Sequence, residues 1–216
     1  MERAKNSSYS KIYIMTNTEE IDANIIEKFA KIMPKDRKEK YYKIKEKNKK
    51  TNYVLAYIIL WFALEKNNIS TTAPRFKYEK NFKPSLIDNN KVFFNISHTK
   101  SAVVCAISSN PIGVDIEKKR NISIKLAKKI CTKKEYLMFS KAKDKNYTFF
   151  FIWTRKESFC KKNGNSIFTN FNKINSFSLK NTLTFTFENF IISCHLKTPS
   201  LSLKNISFEN LIRYLK

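Results

Sequence analysis

The stretch that decides the fold is FNISHTKSAVVCAISSNPIGVDIE, residues 94–117. Its first part ends near His98, one of only two histidines in the chain, and an apolar run follows at 102–107. The pattern predicts strands at 92–96 and 102–108 that are joined by a turn, and a third strand at 112–117. The dipeptide Asn110-Pro111 favours a break between the second and third strands. We therefore expect the chain to divide at this point.

The third of these strands carries two carboxylates. Side chains alternate between the faces of a strand, so Asp115 and Glu117 share one face. Two neighbouring carboxylates repel each other unless a cation or a proton intervenes. Mg²⁺ prefers oxygen ligands of this kind. Taken alone, the tripeptide fits equally well a solvent-facing strand end that is paired with the lysines after it.

A second stretch, WTRKESFCK at 153–161, adds a third carboxylate. On a helix, Glu157 shares a face with Trp153 and Lys161, which lie four residues before and after it. By itself this pattern also fits an ordinary surface pair of glutamate and lysine. Together, the three carboxylates and the lysine suit a divalent metal that holds a phosphorylated substrate.

The remaining periodicities predict an α+β chain. The order is strand, helices and strands, and then the same again, which indicates two halves of similar plan at 1–110 and 111–216. Strands are predicted at 11–16 and 75–78, and two or three antiparallel strands are predicted from 171 onward. Helices are predicted at 19–32, from Pro34, at 51–66, at 123–140 and at 147–163, and a short helix or strand at 207–215.

The composition excludes several classes of protein. The chain has only two glycines, which excludes a P-loop or a dinucleotide-binding fold. Its four cysteines form no CxxC pair, so we expect reduced core residues and no zinc site. The longest apolar run, at 54–64, is far shorter than the ~20 residues that span a bilayer. With no signal-peptide pattern at the N-terminus, we expect a cytoplasmic protein without a membrane partner.

The net charge of +24 predicts an anionic partner. One alternative is a basic nucleic-acid-binding protein, and another is a lysine surface with no partner at all. Arginine is scarce while lysine is abundant, which argues against sequence-specific nucleic-acid recognition. A nucleic-acid role would also leave the three carboxylates unexplained. We therefore expect no nucleic-acid partner.

Three motifs occur in order: FNISHT at 94–99, PIGVDIEKKR at 111–120 and WTRKESFCKKNG at 153–164. In this combination the chain resembles the 4′-phosphopantetheinyl transferases, specifically their surfactin-type branch. The resemblance implies two α+β halves that form a pseudo-dimer within one chain, with the active site between them. It also implies a monomer, since a chain with both halves needs no second copy.

The resemblance implies an activity as well. The phosphopantetheine arm of coenzyme A would move onto a serine of an acidic apo acyl carrier or peptidyl carrier protein, with release of adenosine 3′,5′-bisphosphate. Mg²⁺, or Mn²⁺ as the alternative, would be the metal. The catalytic residues would be Glu157, which takes the serine proton directly or through a metal-bound water, and Lys161, which neutralises the leaving bisphosphate. By motif position the metal ligands would be Asp115, Glu117 and Glu157, and the coenzyme A contacts would be Arg37, Lys40, Lys83, Ser97, His98 and Lys161.

Two positions depart from the pattern of this family. The glycine expected before Lys83 is Phe82, and the arginine expected early in the long N-terminal helix is Asn52. Lys49 or Lys50 would have to replace the phosphate contact of that arginine. These departures leave open a second hypothesis, a homologue that binds coenzyme A or a carrier protein without turnover.

Overall fold

The computed structural model describes residues 9–70, 72–78, 83–164, 171–197 and 200–215. Phe82 therefore lies outside the described residues. The strands are β1 Ser10–Thr16, β2 Phe76–Tyr78, β3 Pro84–Leu86, β4 Phe93–His98, β5 Ala102–Ser108, β6 Gly113–Lys118, β7 Thr182–Phe187, β8 Phe190–His195 and β9 Ser202–Asn205. The helices are α1 Ala23–Lys31, α2 Lys35–Lys43, α3 Lys47–Glu65, α4 Ile124–Ile130, α5 Lys133–Lys141, α6 Lys145–Asn163 and α7 Glu209–Ile212.

The strands form two main sheets and one small one. The first main sheet has the order β4-β5-β1-β9, the second has the order β6-β8-β7, and β2 pairs with β3 alone. All pairs are antiparallel except β1 with β9, which run parallel. Antiparallel sheets packed against helices confirm the α+β class.

Alternating side chains sort the core into layers. On β1, Tyr13 and Met15 pack against the helices of the N-terminal half, whereas Ile12 and Ile14 pack against the second main sheet. The run at 102–107 divides in the same way, which explains why it is apolar at every position. A third cluster joins β8 to α4, α5 and α6. The order of layers is therefore helices, sheet, sheet, helices.

The C-terminal residues return to the first sheet. The strand β9 pairs with β1, and the residues after it place Ile206 and Leu211 in the same core as α1 and α3. The division into halves at 110 and 111 stays a prediction, as does the pseudo-dimer. In the described structure, the last strand and helix of the chain lie with the N-terminal elements.

The prediction of a single helix at 123–140 is wrong, because two helices, α4 and α5, occupy this segment. Ser123 caps α4 as expected, but Thr132 starts α5 with a capping box to Glu135. A threonine followed three residues later by a glutamate offers two helix-starting bonds at that point. Helical spacing predicts an inner face made of Ile124, Ala127, Ile130 and Leu137. This prediction is wrong at two positions, since Ile124 is 62% exposed and Leu137 is 56% exposed.

Other boundaries shift by a few residues. The structure begins α1 at Ala23 after an Asp22 cap, and α3 begins at Lys47 rather than at 51. The segment 171–179 forms short 3-10 turns rather than a strand. The predicted end of α6 is confirmed at Gly164, whose φ of 68° suits glycine.

Candidate active site

A cavity of about 380 Å³ lies where β4, β6 and α6 meet. Six of the nine residues predicted for the site line its wall. The lining residues are Ile96, Ser97, His98, Asp115, Ile116, Glu117, Trp153, Glu157 and Lys161. The three sequence motifs therefore converge in space, although the first, at 94–99, lies far from the last, at 153–164, in the sequence.

Gly113 allows α6 to lie close to β6. A Cβ atom at this position would stand 2.0 Å from the Ser158 carbonyl oxygen and 2.5 Å from the Lys162 nitrogen. Those atoms belong to the backbone of α6, so the helix could not remain in place. The absence of a side chain at Gly113 thus brings Glu157 and Lys161 to the carboxylates of β6.

Asp115 forms a compact polar cluster with two partners. Its Oδ1 accepts hydrogen bonds from Ser97 Oγ at 2.8 Å and from Lys161 Nζ at 2.6 Å. Lys161 Nζ also donates to Ser97 Oγ at 2.8 Å. The cluster joins β4, β6 and α6, because each element supplies one member.

The other two carboxylates differ in their neighbours. Glu117 Oε2 pairs with Arg120 at 2.7 Å, yet burial and the nearby Asp115 raise the pKa of Glu117. Glu157 is only 4% exposed. Burial, and then the charge of Asp115, raise the pKa of Glu157 to about 8, because its ionised form is poorly solvated.

The donor set fits a divalent cation in its chemistry. Within the described residues, Asp115 Oδ2 and Glu157 Oε2 are buried without any hydrogen-bond partner, a costly state for carboxylate oxygens. The same part of the chain holds no group of three or more His, Cys, Asp or Glu residues arranged as a ready metal cage. Lys161 and Arg120 instead pair with Asp115 and Glu117. A metal on these carboxylates therefore remains a proposal.

His98 lies at the edge of the cavity and contacts Asn52. His98 remains exposed at its rim, but the loss of solvent around its ring, and then the Lys161 charge, lower the pKa of His98. Asn52 Nδ2 lies 3.4 Å from His98 Nδ1, and Asn52 itself is 3% exposed. The departure noted at position 52 thus places a buried amide beside the histidine.

Arg37 and Lys40, the two cations of α2 that the resemblance assigns to coenzyme A, are not among the residues that line this cavity. The Arg37 guanidinium lies over the rings of Tyr53 and Phe76, at 4.4 and 5.1 Å from their centroids. Lys40 Nζ lies 4.7 Å from the Tyr78 ring centroid. Both cations therefore face aromatic side chains, and their contact with coenzyme A stays a prediction.

The lysines proposed as replacements at position 52 have other partners. Lys49 forms a salt bridge with Glu46, and Lys50 lies over the Tyr41 ring. Lys83 donates to the carbonyl oxygens of Ile112 and Lys162, at 3.3 and 2.8 Å. It lines a separate cavity of about 240 Å³. The loop of Lys83 is thus tied to β6 and to the end of α6.

The burial of one charged residue was not predicted from the sequence. Lys156, next to Glu157, is fully buried and donates to Glu135 Oε2 at 2.6 Å and to the carbonyl oxygens of Ile130 and Phe171. It lies four residues from Ile152 and from Cys160, both of which are buried. A lysine at helical spacing from two apolar core residues is the sequence pattern that could have indicated a buried ion pair.

Comparison with known proteins supports the motif assignment. Residues 111–205 match the model of the 4′-phosphopantetheinyl transferase superfamily. The chain is 39% identical over 108 residues to 4′-phosphopantetheinyl transferase Sfp of Bacillus subtilis (strain 168), a match that covers 49% of this chain and 46% of that protein. It is 41% identical over 97 residues to 4′-phosphopantetheinyl transferase gsp of Aneurinibacillus migulanus, covering 44% and 40%.

These matches span less than half of each relative's own length. The matched family region nevertheless contains Asp115, Glu117, Glu157 and Lys161. The predicted resemblance to the 4′-phosphopantetheinyl transferase superfamily, in its surfactin-type branch, is therefore confirmed.

Proposed function

We propose that the protein transfers the 4′-phosphopantetheine arm of coenzyme A to a serine of an apo acyl or peptidyl carrier protein. One observation supports this function above the others. Three carboxylates, a lysine and a histidine meet in a single cavity, and two buried carboxylate oxygens there make no hydrogen bond among the described residues. Such a site suits a phosphorylated substrate that brings compensating cations with it.

The transfer makes one bond and breaks another. The acceptor serine oxygen bonds to the β-phosphorus of coenzyme A, while the bond from that phosphorus to the bridging oxygen of the pyrophosphate breaks. Adenosine 3′,5′-bisphosphate leaves with that oxygen. We assign the serine proton to Glu157, because Glu157 Oε2 is buried in the cavity wall and accepts no hydrogen bond from the described residues.

The other residues would bind and orient the phosphates. Lys161 would neutralise the leaving bisphosphate, and Ser97 with His98 would contact the nucleotide end of coenzyme A. Asp115, Glu117 and Glu157 would hold the cation. When bound, Mg²⁺ supplies positive charge that stabilises the phosphoryl oxygens, and Mn²⁺ is the alternative ion.

We further propose a monomer in the cytoplasm that acts on an acidic carrier protein. The net charge of +24 supports an acidic partner, because opposite charges speed association. The four cysteines are buried free thiols, which suits a reducing compartment. No helix among the described residues has the length and apolar character needed to cross a membrane.

Intact-mass spectrometry of an apo carrier protein tests this function directly. We expect a gain of one phosphopantetheine after mixing with this protein, coenzyme A and Mg²⁺, and no gain when EDTA is present. No gain across several apo carriers, with coenzyme A still bound, would contradict the transferase and support the non-catalytic homologue. If coenzyme A does not bind either, tight and strongly salt-dependent binding of nucleic acid would support the basic nucleic-acid-binding alternative.

A further inference from the structure

The amide of Asn52 bridges α3 and the turn that follows β4. Its Nδ2 donates to the Thr99 carbonyl oxygen at 2.6 Å and lies 3.4 Å from His98 Nδ1. Its Oδ1 accepts from Thr18 Oγ1 at 3.5 Å. The side chain is 3% exposed, so these partners fix its orientation.

The orientation of this amide follows from its partners. A backbone carbonyl oxygen only accepts hydrogen bonds, so the NH₂ group of Asn52, and not its oxygen, must face Thr99. The flipped orientation would place two acceptor oxygens against each other at 2.6 Å. The second hydrogen of the same NH₂ group is then available for His98.

This hydrogen determines which nitrogen of His98 carries a proton. In a neutral imidazole one nitrogen donates and the other accepts. Because Asn52 Nδ2 offers a hydrogen to Nδ1, Nδ1 must act as the acceptor. The ring proton therefore resides on Nε2, on the side of the ring away from Asn52.

We propose that Asn52 is a positioning residue that holds His98 in the Nε2–H tautomer, ready to donate to an anionic oxygen of the substrate. The identity of that substrate as coenzyme A rests on the proposed function, but the tautomer does not. A neutral donor at this position binds a phosphate oxygen without adding a further charge beside Lys161. The departure at position 52 is thus assigned a role of its own.

The tautomer is measured in the free protein. The chain has only two histidines, so ¹⁵N-histidine labelling gives one signal set each for His98 and His195. Long-range ¹H–¹⁵N correlation spectra at about pH 8.5, above the ordinary imidazole pKa of about 6.5, distinguish protonated from unprotonated ring nitrogens. The variant His195→Gln identifies which set belongs to His98.

Two substitutions at position 52 test whether Asn52 determines the tautomer of His98. Asn52→Asp replaces the donor with a carboxylate that accepts, so we expect the His98 proton to move to Nδ1. Asn52→Ala removes the donor without supplying an acceptor, and we expect a mixture of both tautomers. Asn67→Asp changes another asparagine, bonded to the Tyr13 hydroxyl and the Ala63 carbonyl, and should leave the His98 signals unchanged.

A binding measurement links the tautomer to the substrate. We expect Asn52→Asp to weaken coenzyme A binding about ten- to hundredfold, the usual cost of losing a hydrogen bond to a charged group. Asn52→Ala should weaken it less, and Asn67→Asp should not change it. Calorimetric titration with coenzyme A and Mg²⁺ measures the three values.

The outcomes separate this inference from the proposed function. An Nδ1–H tautomer in the wild type would overturn the inference, whatever activity the protein has. An Nε2–H tautomer that persists in both Asn52 variants would also overturn it, because the amide would then not be its cause. If Asn52→Asp does not fold, the mixture expected for Asn52→Ala still decides the result. The predicted tautomers without phosphopantetheine transfer would support the inference and contradict the function.

Discussion

At the scale of single residues, Gly113 determines how closely α6 can approach β6. We expect Gly113→Ala to destabilise the protein by more than the ~1–3 kcal/mol typical of an overpacked core, because the clashing atoms are backbone. The displaced helix carries Glu157 and Lys161, so activity should fall together with stability. Urea unfolding measures the loss.

Gly164 provides the matched control for this prediction, since the chain has only these two glycines. Its φ of 68° lies in the left-handed region, where a side chain costs about 1–2 kcal/mol. We therefore expect Gly164→Ala to be milder and to leave the cavity intact. An equal loss of stability and activity in the two variants would contradict the role assigned to Gly113.

The shared face of Asp115 and Glu117 could be predicted at this scale, because side chains alternate along a strand, and both residues line the cavity. The contacts that Asn52 and Arg37 make could not be predicted from the sequence. Asn52 is separated from His98 by 46 positions in the sequence, and only the packing of α3 against the first sheet brings the two together. Likewise, no local pattern indicated that Arg37 would stack on Tyr53.

At the scale of elements, the buried pair of Lys156 and Glu135 fixes α6 to α5. Both side chains are fully buried. Replacing Lys156 by Met would leave an uncompensated buried charge on Glu135, with an expected cost of about 3–5 kcal/mol in the free energy of unfolding. Chemical denaturation measures this cost.

A double variant shows whether the uncompensated charge of Glu135 causes the loss of stability in Lys156→Met. Adding Glu135→Gln to Lys156→Met removes the stranded charge but keeps an acceptor for the Ser176 N–H, so we expect stability to recover in part. Lys145→Met, at an exposed position of the same helix, should change stability by less than about 0.5 kcal/mol. No recovery in the double variant would mean that packing, not charge, accounts for the loss.

Most elements could be predicted because their apolar periodicity is local. The α4–α5 break could not be predicted from periodicity, since residues 123–140 continue a helical pattern across it. The capping box of Thr132 and Glu135 was the available signal. The 3-10 turns at 171–179 were mistaken for a strand because Phe177 and Leu179 alternate, although Phe177 is 40% exposed.

At the scale of the whole molecule, a buried histidine makes stability depend on pH. Burial, and then the charges of Lys162 and Arg155, lower the pKa of His195 to about 4. The unfolded chain would protonate it near 6.5, so protonation favours unfolding as the pH falls below that value. We expect full stability above about pH 6.5 and a loss of up to ~3 kcal/mol as the pH approaches 4.

The variant His195→Gln cannot titrate and should show a smaller loss over this range. His98 contributes in the same direction, because its pKa is also lowered, so some dependence should remain. Thermal unfolding followed from pH 7.5 down to about pH 4.5 compares the two proteins. Parallel curves for the wild type and the variant would contradict the assignment to His195.

The layered architecture was only partly predictable. A continuous apolar run such as the one at 102–107 is typical of a strand buried on both faces, and the structure shows helices on one side and the second sheet on the other. The return of β9 to β1 could not be predicted. Its Ser202–Asn205 segment is short and mostly polar, and a parallel partner far away in sequence leaves no local pattern.

The most direct test of the account is the mass gain of an apo carrier protein treated with site variants. We expect Asp115→Asn and Glu157→Gln each to lower the transfer rate at least ~100-fold, since each removes a carboxylate that we assign to the cation, and Glu157→Gln also removes the proton acceptor. Glu39→Gln, at an exposed position on α2, should transfer at the wild-type rate. Transfer by either site variant at the rate of the Glu39 variant, with the fold intact, would contradict the central claim that these carboxylates perform the chemistry.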